Sequence, residues 1–211
     1  MTKTDRTKWL EISAVVITGL MKYILTDWLE LRVFYISSAC LFWTLYIYKR
    51  YRSDKLILQH WGFREKHFKQ SFLFLLPFSL ATIAAIVWYG ISFNAIFLNW
   101  HVIPIILFYP IWGIVQQFLM TALVAGNLWS ISGVKINNPQ IIILTSALFA
   151  VVHFPSFLLM AFTFFMELLF TSAYFRWRNL WPLGLFHGWV ASLLFFFVLD
   201  RDLWCELWTI F

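Results

Sequence analysis

Seven apolar runs follow one another along the chain, at about 9–26, 31–48, 71–93, 101–129, 139–154, 156–175 and 181–199. A helix needs roughly 20 apolar residues to cross a hydrocarbon core of about 30 Å. In lipid, every backbone donor and acceptor must be satisfied within the element, which leaves helices as the natural spanning form. The chain therefore reads as an all-α, polytopic membrane helix bundle with about seven transmembrane helices. Composition agrees: 62% of the residues are apolar and 12% charged, too little polar surface to cover a soluble core. The runs and their short connections use up the 211 residues, so 1–211 is expected to form a single transmembrane domain. The first run, interrupted by Glu11 and Lys22, is the weakest span and has an alternative as an interfacial helix.

The polar punctuation sets the orientation. Lys3, Arg6 and Lys8 precede the first run, and the long connection 49–70 carries Lys49, Arg50, Arg52, Lys55, Arg64, Lys66 and Lys69. Lys135, Arg176 and Arg178 fall in later connections of the same parity. Asp27, Glu30, Asp200, Asp202 and Glu206 fall on the other side, against Arg32 and Arg201. The positive-inside rule puts the N-terminus in the cytoplasm and the C-terminus outside, in an integral membrane protein of a bacterial or archaeal cytoplasmic membrane. The net charge of +6 is spread between spans, which suits anionic headgroups rather than nucleic acid. Trp9, Trp28, Trp61, Trp100, Trp129, Trp181 and Trp204 stand at the ends of runs, where amphipathic rings favour headgroup depth. The connection 51–70 reads either as an amphipathic surface helix with Leu56, Ile57, Trp61 and Phe68 towards lipid, or as a solvated basic loop.

Helix punctuation is also legible. Asn138-Pro139 marks a helix start, with asparagine as cap and proline in the first turn, and Pro182 does the same for the last run. Pro104 and Pro110 are expected to kink the fourth. Cys40 and Cys205 are too far apart to announce a disulfide framework or metal-ligand spacing. No cofactor and no metal is expected.

Polar side chains at membrane depth are costly and mark candidate sites. The fourth run carries Gln116-Gln117, the fifth ends in Phe149-Ala-Val-Val-His153-Phe-Pro155, the sixth holds Glu167, and the last contains His187. Adjacent glutamines point about 100° apart, so one is free to face a site while the other braces a neighbouring helix. Glu167 is open to two readings: a neutral acid hydrogen-bonded in the core, or a functional group facing the same cavity. Counting 1.5 Å per residue from the cytoplasmic helix ends puts Gln116 and His153 at similar depth, about 20 Å, and His187 at about 10 Å. On that count Gln116 pairs with His153 more readily than with His187.

With these residues in place, the chain resembles the CAAX-protease and bacteriocin-processing family of intramembrane proteases. Members carry Glu-Glu-x-x-x-Arg on one helix, Phe-x-x-x-His on the next, and His-x-x-x-Asn or His-x-x-x-Asp on a later one. Here the first motif aligns with Gln116-Gln117-Phe-Leu-Met-Thr121, the second is intact from Phe149 to His153, and the third keeps His187 but ends in Ala191. The stretch Arg178-Asn-Leu-Trp-Pro-Leu-Gly-Leu-Phe-His187 is similar to the family's approach to its last motif. The resemblance covers about 105–195. It implies catalytic positions at Gln116, Gln117, His153 and His187, with Phe149, Thr121 and Ala191 beside the substrate; Glu167 joins them on the reading that it faces the same cavity.

The departures bear on mechanism. The family's first glutamate is held to activate water, and a glutamine amide has no basic oxygen with which to do so. Thr121 stands where the arginine would pair with the carboxylates. A non-proteolytic protein that binds a membrane-embedded or lipid-modified peptide, or scaffolds a membrane partner, is the first expectation. An endopeptidase using His153 or His187 as base is the second, and a proton-coupled transporter the third. Zinc held by two histidines and amides falls short of three strong ligands.

Overall fold

The computed structural model describes residues 3–93 and 99–208, all of whose regular elements are helical. Every one of the seven runs forms a helical rod. The first is α1, Lys3–Lys22, prolonged by a wide π-helical segment, Tyr23–Trp28. α2 spans Arg32–Ser53, a short α3 Ile57–Trp61, and α4 Phe68–Ser92. The fourth rod is α5, Val102–Gln117, continuing through a π-helical stretch, Phe118–Ala125, into α6, Gly126–Ser130. α7 is Asn138–Val151, α8 Phe157–Trp177, α9 Leu180–Phe197 and α10 Leu203–Trp208.

Five rods are long and apolar enough to cross a bilayer: Thr4–Trp28, Phe68–Ser92, Val102–Ser130, Phe157–Trp177 and Leu180–Phe197. The first run is therefore a better span than its charges suggested. Glu11 is buried, accepting from Arg50 and Tyr46 of α2 and, at 2.6 Å, from Asn127 Nδ2 of α6. Lys22 pairs with Asp27 at 3.3 Å. Glu11 thus ties α1 to α2 and α6, and Lys22 also donates to Val152 O at the end of α7, at 3.4 Å. α2 has the length, 22 residues, but ends in a basic turn carrying Arg50 and Arg52. α7 has 14 residues, about 21 Å of helix.

α5 packs backbone to backbone against α9. A Cβ on Gly113 would stand 2.8 Å from Gly188 N and nearer still to Gly184 O, and one on Gly188 would press on the Pro110 backbone. The two backbones are in contact, as small residues permit in membrane interfaces. Pro110 lies inside α5 and runs against Gly188, while Pro104 falls in the first turn, where its missing N–H costs nothing.

Two details of the helix starts and connections differ from expectation. α7 is capped by Asn137, not Asn138: its side chain accepts from Gln140 N–H at 3.0 Å and the Gln140 side chain answers at 2.9 Å, a capping box with Pro139 inside the first turn. The connection 51–70 is neither a single surface helix nor a free loop. Ile57 and Trp61 are buried in the protein core instead of facing lipid, while Leu56 and Phe68 remain exposed. Trp61 thus leaves the interfacial belt. Arg64 donates to the carbonyls of Trp177 and Arg178 at 2.7 and 2.8 Å, Asn179 Nδ2 donates to Arg64 O and Lys66 O, and Leu180 N–H to Gly62 O. This segment roofs the α8–α9 turn, so α9 begins beneath a lid of protein and not at the surface.

At the far end, α10 packs on α5 and α9 through Leu203 and Trp204. Asp202 Oδ1 caps it, accepting from the Trp204 and Cys205 N–H groups at 3.0 and 3.1 Å. Burial pushes the Asp202 carboxyl up, but hydrogen bonds from His101, the Cys205 backbone and Asn99 outweigh it and hold the group at about 2.

Candidate functional site

The roofed turn decides which polar residues meet. The depth count assumed that all helices end at one level. Because α9 starts under the 57–67 segment, His187 is carried to the level of Gln117, and their side chains lie 3.2 Å apart (Nε2 to Nδ1). The close α5–α9 contact at Gly184 and Gly188 brackets His187 in sequence and sets the lateral approach. His153 does not pair with a glutamine. Its Nδ1 lies 2.8 Å from Phe149 O, in the last turn of α7, just beyond whose end His153 stands.

Gln117 is fully buried. Its amide nitrogen donates to Glu167 Oε2 at 2.9 Å as well as to His187 Nδ1, and its oxygen accepts from Thr121 Oγ1 at 2.7 Å. Glu167, also fully buried, is met on its other oxygen by Thr171 Oγ1 at 2.8 Å and Thr121 Oγ1 at 3.2 Å. All of its partners are neutral side chains. Thr121 directs its one proton to Gln117 at the shorter distance and shares it with Glu167 Oε1 at the longer. The ring Gln117–Glu167–Thr121 closes through side-chain hydrogen bonds, the pairing that a low-dielectric interior requires of buried polar groups. Thr121 and Thr171 stand four residues after Gln117 and Glu167, the spacing that stacks side chains on a helix face.

Partner chemistry also fixes the imidazole tautomers. A carbonyl only accepts, so His153 carries its proton on Nδ1 and leaves Nε2 with a free lone pair. His187 Nδ1 accepts from an amide, which places its proton on Nε2. Phe149 is buried between the two rings, edge-on to both, with centroids 4.9 Å from His153 and 5.5 Å from His187.

Beside this ring opens a small recess. Gln116, His153, His187, Tyr109 and Ala191 give it its polar side and its floor, while Leu159, Phe162, Met166, Leu194 and Phe195 form apolar walls. Of the eight expected positions, Gln116, His153, His187 and Ala191 line the recess. Gln117, Thr121 and Glu167 stand behind it as a buried hydrogen-bonded brace, and Phe149 wedges the histidines. The two glutamines divide as their 100° separation allows. Tyr109 and Thr171 went unread in the sequence. Thr171 had a signal in its i+4 spacing from Glu167, and Tyr109 had none, since one more aromatic in an apolar run is indistinguishable from core.

Residues 98–193 match the model of the type II CAAX prenyl endopeptidase Rce1-like family. No curated protein and no solved structure matches the chain significantly. The match falls on the stretch that carries the three motifs, and it includes every residue of the recess except Leu194 and Phe195. This segment is Rce1-like.

Proposed function

We propose that this protein is a non-proteolytic, Rce1-like membrane protein that binds a membrane-embedded or lipid-modified peptide. In this reading it lies in the bilayer with the basic connections on the cytoplasmic side. The observation that carries the proposal is the placement of the carboxylate. Among the residues lining the recess there is none, and Glu167 is fully buried, hydrogen-bonded to Gln117 with both oxygens engaged. Activation of water needs a base within hydrogen-bond reach of it, and the amide of Gln116 is not one.

What the recess offers instead is a set of neutral hydrogen-bonding groups. His187 supplies an N–H, His153 a lone pair, and Gln116 both. Together they complement the carbonyl and N–H of a peptide unit brought out of water. The apolar walls suit an alkyl or isoprenoid chain attached to it, in the pattern of a concave site with few polar anchors.

One observation favours a second reading, a histidine-based endopeptidase. The His153 tautomer leaves Nε2 free to take a proton from water, while the His187 N–H would steady the oxyanion. A farnesylated peptide titrated into detergent-solubilised protein, with products read by mass spectrometry, separates the two. The binding reading expects saturable binding, no cleavage by wild type, and affinity lost in Gln116→Leu. Cleavage by wild type that disappears in His153→Ala would replace it with the hydrolase.

A further inference from the structure

We infer a divalent-metal site, best suited to Zn²⁺, built from His101, Asp202 and Cys205 at the opposite end of α5 from the recess. The three residues offer one ligand atom each, and these atoms all lie within 4.8 Å of one another. No metal is expected from the sequence, where Cys40 and Cys205 show no metal-ligand spacing; folding of α10 onto the start of α5 brings His101 and Cys205, 104 residues apart, together.

The donor set is one that zinc favours: an imidazole nitrogen, a carboxylate oxygen and a thiolate sulfur. With Zn–S of about 2.3 Å and Zn–N and Zn–O of about 2.0 Å, a tetrahedral ion sets S···N and S···O edges of about 3.5 Å and an N···O edge of about 3.3 Å. Cys205 Sγ lies 3.7 Å from His101 Nδ1 and 3.4 Å from Asp202 Oδ2. Two of three edges are thus already at coordination length. The third, His101 Nδ1 to Asp202 Oδ2, is 2.5 Å, a hydrogen bond that must open by about 0.8 Å when the ion takes the place of the shared proton. The ion's two charges balance the thiolate and the carboxylate.

The ligands are held by their surroundings. Asp202 spends Oδ1 on capping α10, which turns Oδ2 towards the cluster. Asn99 accepts from His101 N–H at 3.0 Å and donates to Asp202 Oδ2 at 3.2 Å, bracing two ligands at once. The rings of Trp100 and Trp204 flank His101, with centroids 4.5 and 6.3 Å away. Cys205 is exposed, so an ion has a path in and a fourth position open to water. Bound metal would clasp α10 to α5 across the chain's last turn.

The test is Co²⁺ titration of the full chain in detergent under reducing conditions, read as the thiolate-to-metal absorption band, followed by displacement with Zn²⁺. Wild type is expected to bind one equivalent, with Zn²⁺ raising the unfolding temperature. Cys205→Ser should lose the thiolate band while keeping the metal-free unfolding temperature of wild type. His101→Ala and Asp202→Asn should each weaken binding by at least about 100-fold, and Asn99→Ala by about 10-fold. Cys40→Ser, at the chain's other exposed cysteine, should bind as wild type does. A wild-type titration without a thiolate band, or a band that survives Cys205→Ser and vanishes with Cys40→Ser, would overturn the assignment and leave a hydrogen-bonded clasp.

Discussion

The rod that begins at Val102 carries polar clusters of opposite character at two points on its length. At its start, His101 meets Asp202 and Cys205 where the side chains are partly exposed, and charge is tolerated. Sixteen residues on, about 24 Å along the helix, Gln117, Thr121, Glu167 and His187 meet in burial and are joined by side-chain hydrogen bonds. The difference teaches what the membrane interior selects. Where water reaches, an acid and a base stay charged at little cost. Where it does not, each polar group must find a partner that cancels its hydrogen-bonding need without leaving a net charge. Thr121, at the position where the resembling family has a basic residue, fits that rule, since it meets Gln117 and Glu167 by hydrogen bonds and brings no charge of its own.

The largest expected effect is on the backbone contact that brings the inner cluster together. Gly113→Val would drive a side chain into Gly188 and Gly184, with backbone on the receiving side and no flexible side chain to yield. Overpacking of this kind is expected to cost about 3 kcal/mol and to separate His187 from Gln117. The check is thermal unfolding in detergent together with loss of farnesyl-peptide binding, while Co²⁺ binding at the outer cluster persists in the fraction that folds.

A sharper break of the comparison uses charge. Gln117→Glu places a second carboxyl group 2.9 Å from Glu167 and leaves His187 without its donor. A buried acceptor deprived of its partner is expected to cost about 3 kcal/mol. Adding Glu167→Gln hands the missing amide back from the other helix. The double variant should recover about half or more of the loss, a coupling of roughly 1–3 kcal/mol in a double-mutant cycle of unfolding free energies. Additive losses would show that the two side chains do not act as a unit.

The legible part of this molecule is the part written in local pattern. Seven runs became seven rods, because the need to satisfy backbone groups within lipid leaves little choice. Gln116, His153, His187 and Ala191 were marked as a group by motif order and do share one recess. What could not be read is what depends on where helices sit relative to one another. His187 reads as shallower than Gln116 in the sequence because nothing in the run of residues shows that Gly62, Arg64 and Lys66 roof the turn at Asn179. Ile57 and Trp61 looked lipid-facing because a short amphipathic stretch has the same composition whether its apolar side meets lipid or protein. The outer cluster was invisible for the same reason: His101 and Cys205 are brought together only by the docking of α10.

Within the inner cluster, Thr171→Val removes one hydrogen bond to Glu167 Oε1, leaving Thr121 on the same oxygen. The expected loss is about 1 kcal/mol. It should be the same at low and high salt, because neither partner carries an exposed charge, and thermal unfolding across a salt series checks both points.

The smallest effect belongs to the outer end, and its salt dependence completes the contrast. Arg201 and Glu206 form a bidentate pair at 2.8 and 2.6 Å, with the arginine side chain 44% exposed. The geometry is good, yet both groups keep water in the free state, and ordering two long side chains offsets most of the Coulomb gain. Glu206→Gln is therefore expected to cost about 0.5 kcal/mol, read as a lower unfolding temperature at low ionic strength. Raising the salt to about 1 M shortens the screening length to about 3 Å, comparable to the pair's own separation, so the gap between variant and wild type should close. A gap that survives high salt would mean that Glu206 contributes through packing of α10, and the line drawn between a charged outer end and a buried inner one would have to move inward past it.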